Sequence, residues 1–158
     1  MKLEPFFLFV LLIVSMACKS ENLINLPAST MTEPPTSAVS LNKVHIKVGA
    51  KIFTATLVDN PTAKAFVAQL PLTLTMNELN NNEKFAQLPI SVPTNASIPA
   101  NIQAGDLMMY GASTLVLFYK GFTTSYSYTK IGKIDNVAGL TPALGTGDIR
   151  VVFEVAND

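Results

Sequence analysis

Val44, Ile46 and Val48 alternate with Lys43, His45 and Lys47, the period-two signature of a strand with one buried face. Gly49-Ala50 supplies a two-residue turn, and a return strand over Lys51 to Val58 places Phe53, Ala55 and Leu57 opposite Thr54 and Thr56. Asp59-Asn60-Pro61 then offers a cap residue followed by proline at the first helical position. The segment Thr62 to Leu70 is alanine-rich, carries Ala63, Phe66, Val67 and Leu70 on one stripe, and is stopped by Pro71. It is the main helix the pattern predicts.

Alternation resumes at Leu72, Leu74 and Met76, turns at Asn80-Asn81-Asn82, and returns over Glu83 to Leu88. Pro89, Pro93 and Pro99 mark a loop reaching Gln103. Gly105-Asp106 leads into Leu107 to Tyr110, and Gly111 turns into Thr114 to Lys120, apolar on both faces and therefore covered on both sides. One long, more polar strand is expected over Phe122 to Ile134, a helical turn over Leu140 to Leu144, and a closing strand over Asp148 to Val155. About eight short strands with one main helix predict a mainly β fold, a closed barrel with the helix capping it. Closure removes the exposed edges that a small sheet otherwise has to defend.

Upstream of this domain, placed at 41–158, the pattern changes. Phe6 to Ala17 is an apolar run of about twelve residues behind Lys2, where a spanning helix needs roughly 20. The run ends in Ser15-Met16-Ala17-Cys18, which resembles the lipobox of bacterial lipoproteins, with Ser15 where that family usually has leucine. The resemblance implies a signal peptide over 1–17 and acylation of Cys18, the sole cysteine. Residues 18–40, rich in Ser, Thr and Pro and without sustained period, are expected to act as a flexible tether. The expected address is the bacterial cell envelope, outside the cytoplasm, with the membrane as partner through lipidated Cys18.

Composition narrows the chemistry. Hydrophobic residues make up 49% and charged residues 14% of the chain, enough for a core without staples. Eleven basic and eleven acidic side chains leave no surplus for neutralising phosphates, which argues against nucleic acid. A lone cysteine and a lone histidine, His45, give no basis for a thiolate metal site or an internal disulfide, and no metal or cofactor is expected.

The stretches DNPTAKAF (Asp59–Phe66), LPLTLTMNELNNNEKF (Leu70–Phe85), AGDLMMYG (Ala104–Gly111), LVLFYKGFTTSYSYTKIGKI (Leu115–Ile134) and ALGTGDIRVVFE (Ala143–Glu154) resemble the bacterial cyclophilin-like domain family. The resemblance covers 42–156 and implies a cyclophilin-like barrel. It also implies a test of isomerase chemistry, because true cyclophilins present a catalytic arginine after a Phe-His pair in an early strand. This chain has no such triplet, and its one arginine, Arg150, lies in the last predicted strand.

Candidate chemistry rests on aromatics. Tyr126, Tyr128 and Lys130 alternate and so are expected on one face, with Phe122 upstream in the same register. Together with Phe85 and Tyr110 they form the candidate ligand-binding set, Lys130 being placed to meet an anionic group. The competing reading is a barrel face closed over by loops. Glu83 reads as a solvated charge or ion-pair partner, with a general base, if buried, as the alternative; Asp106 reads as turn chemistry, and Met108 and Met109 as core. The function expected is binding of a small ligand or peptide. The rivals are a degenerate prolyl isomerase and a structural module docking on an envelope protein.

Overall fold

The computed structural model describes residues 42–157, so Cys18 and the segments 1–17 and 18–40 lie outside the described residues. Eight strands occur in chain order: β1 (Lys43–Val48), β2 (Lys51–Leu57), β3 (Leu72–Leu79), β4 (Glu83–Gln87), β5 (Asp106–Tyr110), β6 (Thr114–Phe118), β7 (Thr129–Ile134) and β8 (Ile149–Val155). Two helices, α1 (Pro61–Val67) and α2 (Leu140–Leu144), interrupt them. The strands close in the order β1-β2-β7-β5-β6-β4-β3-β8, every neighbouring pair antiparallel. The mainly β closed barrel expected from the pattern is therefore the fold.

Alternation decides what fills it. Val44, Ile46 and Val48 of β1 point inward with Phe53, Ala55 and Leu57 of β2, all buried. Asn60 caps α1 by accepting a hydrogen bond from the Ala63 amide at 2.7 Å, with Pro61 following it. The Asn60 amide nitrogen donates to the Lys130 carbonyl at 2.8 Å and so ties the start of α1 to β7. Phe66, fully buried, meets Phe153 of β8 edge to face at 5.9 Å, which fastens the helix to the barrel core. Leu140 and Leu144 of α2 join the same core.

Two expectations need correction. The strand expected over Phe122 to Ile134 begins only at Thr129. Upstream of it the chain leaves the barrel and pairs with the proline loop, through Ile102 with Phe122 and Ser97 with Tyr128. Where β7 joins β5 the register slips, Leu107 facing Gly132 and Met108 facing Lys130, so Ile131 is bulged out of the ladder.

The second correction concerns the start of β4. Glu78 and Lys84 face each other across the β3–β4 hairpin, whose turn places Asn80 and Asn81 in left-handed backbone. Lys84 is fully buried, forms an ion pair with Glu78 and donates to the Gly147 carbonyl at 2.6 Å. The Tyr119 hydroxyl donates to Glu78 at 2.8 Å, and the Lys84 ammonium lies 5.7 Å from the Tyr119 ring centroid. Glu83, one residue away, faces outward instead. It is 7% exposed, and no hydrogen bond or ion pair reaches its carboxylate among the described residues. It is largely buried and unpaired.

Candidate functional site: an aromatic cleft on the outer barrel wall

The alternation that sends Leu115, Leu117 and Tyr119 inward sends Thr114, Val116 and Phe118 of β6 outward. Cross-strand pairing sets Glu83 opposite Phe118, Phe85 opposite Val116, and Met108 of β5 opposite Val116 from the other side. A second apolar cluster of Ile102, Met108, Val116, Phe118 and Tyr128 thus lies on the outside of the β4–β6–β5 wall. Its roof is the segment 120–128. The Phe122 and Ile102 backbones exchange hydrogen bonds of 3.2 and 3.0 Å, and those of Tyr128 and Ser97 exchange two of 3.0 Å. Between these two pins residues 123–127 form a ledge.

Under the ledge lies a cavity of about 620 Å³, a size suited to a small organic ligand. Its rings touch in series. Tyr126 meets Tyr110 edge to face at 6.1 Å, and Tyr110 meets Tyr128 at 5.7 Å. Tyr128 meets Phe118 at 5.5 Å, and Phe118 meets Phe122 at 5.6 Å. Tyr110 and Tyr126 stand at the rim, 48% and 61% exposed.

Among the described residues, Glu83 is the one Asp, Glu, Lys, Arg or His side chain that lines the cavity. Burial pushes its carboxyl above the usual range, and the negative charge of Glu78 adds to the rise. The Tyr128 phenol is pushed up to about 12 by burial first and then by the Glu83 charge, with smaller effects of Tyr110 and Tyr126.

Against known families, residues 46–154 match the model described as the Cyclophilin-like family. The chain belongs to the Cyclophilin-like family. No curated protein matches it. The cyclophilin-like barrel is similar to the solution structure of the hypothetical protein AF2241 from Archaeoglobus fulgidus, with 20% identity and a TM-score of 0.55. That alignment covers 72% of this chain and 94% of the other. It is also similar to the structure of McbB in complex with tryptophan, at 12% identity and a TM-score of 0.55, over 73% of this chain and 45% of McbB. Both likenesses concern the fold.

On this cyclophilin-like frame, Phe85, Tyr110, Phe122, Tyr126 and Tyr128 all line the one cavity. Lys130 does not. Its ammonium sits 3.2 Å from a carboxylate oxygen of the buried Asp106, whose other oxygen accepts from the Gln103 amide at 2.9 Å. The shared face assumed for Tyr126, Tyr128 and Lys130 presumed a continuous strand, and the chain is one only from Thr129 onward. Arg150 is exposed on β8, four strands round the barrel from β5. Among the described residues, no group of three or more His, Cys, Asp or Glu side chains could hold a metal ion. Sequence reasoning missed Glu83 as a cleft residue, although it stands two positions before Phe85 and so shares its face.

Proposed function

We propose that this protein is an exported, lipid-tethered binding module that takes a small ligand or a peptide side chain in the aromatic cleft. The observation that carries the reading is the cavity of about 620 Å³ beside a chain of five touching rings, two of them exposed at the rim. Large exposed rings at a concave site gain from a ligand's apolar surface. In a thermal-shift screen of metabolites and short peptides, at least one compound should raise Tm, and Tyr126→Ala should reduce that shift. Because Tyr126 is 61% exposed, its truncation should change stability by no more than about 0.5 kcal/mol. A panel without a single shift overturns the reading.

The proposed address rests on the sequence, with Cys18 behind a short apolar run and the tether beyond it. Acyl chains add about 0.8 kcal/mol per buried CH₂, so two or more hold a protein firmly on a bilayer. Cys18→Ala should move the protein from the membrane pellet to the soluble fraction after cell lysis. Unchanged partitioning would refute the anchor.

A further inference from the structure

We infer that the cleft is a receptor for small organic cations, an alkylammonium group seated against the Glu83 carboxylate with its apolar body against the rings of Phe85, Tyr110, Tyr126 and Tyr128. The inference rests on the cleft being a ligand site, and it names the ligand's chemistry. Glu83 is the only acidic or basic side chain lining the cavity, is 93% buried, and has no hydrogen-bond or ion-pair partner among the described residues. The neighbouring ammonium groups are engaged elsewhere, Lys84 with Glu78 inside the barrel and Lys130 with Asp106.

A buried carboxylate without a partner is costly, and a ligand cation is the group that offsets that cost. The surroundings act in the same direction, because the faces of aromatic rings are electronegative and attract ammonium groups at close range. An anion would meet like charge at the floor and electron-rich faces at the walls. A neutral ligand would fill the cavity but dehydrate Glu83 without pairing it. The cationic end therefore belongs at the floor and the apolar end towards Tyr126. This reverses the sign of the ligand expected when Lys130 was placed in the wall.

The test uses three isosteric probes that differ in charge: phenethylamine, 2-phenylethanol and phenylacetate. A second arm compares the N-acetylated, C-amidated peptides Gly-Lys-Gly and Gly-norleucine-Gly, to distinguish a free amine from a lysine side chain as its source. Chemical-shift titration of the folded domain should rank phenethylamine first and phenylacetate last, with the amine ahead of the alcohol by about tenfold or more. Glu83→Gln should abolish that preference, and a dispersed amide spectrum in the same titration shows that the variant is folded. Equal binding of all three probes, or an unaltered preference in Glu83→Gln, overturns the cation assignment and leaves the cleft reading standing. Absence of binding by every probe, peptides included, overturns both.

Discussion

Lys84→Ala should lower the unfolding free energy by about 3–5 kcal/mol, since removing one member of a buried ion pair strands the other. Lys84 has no exposed surface, and Glu78 opposite it keeps 17%. Without the ammonium, Glu78 retains the Tyr119 hydroxyl and the Asn81 amide, and the Gly147 carbonyl loses its donor. Domains are stable by only about 5–15 kcal/mol, so the variant should sit near the unfolding threshold. Lys84→Met, which keeps most of the stem volume, should be less damaging than Lys84→Ala.

The pH dependence separates lost charge from lost packing. Burial raises the Glu78 carboxyl. Hydrogen bonds from Lys84 and Tyr119 and the Lys84 charge outweigh that effect and hold it below its ordinary 4.5. A carboxyl lowered in the folded state contributes stability above its unfolded value, and that contribution is lost as pH falls through the folded value. Wild type should therefore lose stability on acidification below 4.5, whereas Lys84→Met, left with only the Tyr119 and Asn81 hydrogen bonds to Glu78, should lose less. Urea unfolding at neutral pH and in this acid range checks it. A gap between the proteins that stays constant with pH, or a neutral-pH loss under about 1 kcal/mol, would count against a buried pair.

Phe118→Ala should also cost about 3–5 kcal/mol, the range for deleting a buried ring. It should abolish ligand binding as well. Phe118 is fully buried although it points out of the barrel, because the ledge covers it with Phe122 at 5.6 Å and Tyr128 at 5.5 Å. Those contacts seat the ledge on the wall, and the backbone pins at Ser97 and Ile102 tie it only to another loop. Hydrogen exchange should show the Phe122 and Tyr128 amides losing protection beyond the global loss, while those of Ile46 and Phe153 follow global unfolding alone. Equal losses at all four sites, or a cost under about 1.5 kcal/mol, would mean that the ledge does not depend on this ring.

The barrel was legible because its strands are short, antiparallel and half-buried, so that inward residues repeat every second position. Val44 to Leu57 and Leu72 to Leu79 obey that rule, and the Asn60-Pro61 cap is a local device read from its own residues. The ledge was not legible. Phe122 to Ile134 alternates well enough to pass for one strand, and its departure from the barrel depends on partners about 20–30 residues away in the proline loop, which no local period encodes. That error carried Lys130 into the cleft. Glu83 was misread for a related reason, since side-chain type favours solvent for a glutamate at a turn and only the covering ledge buries it.

The ledge is fixed at both ends by main-chain hydrogen bonds, and the residues between them, Thr123 to Ser127, leave the barrel core untouched. Such an arrangement separates inheritance of the scaffold from variation at the binding edge. The five positions can be randomised, or lengthened at modest entropic cost, without rewriting a strand. A display library built on them would turn this barrel into a frame for selecting new specificities, much as hypervariable loops are diversified on a conserved sandwich.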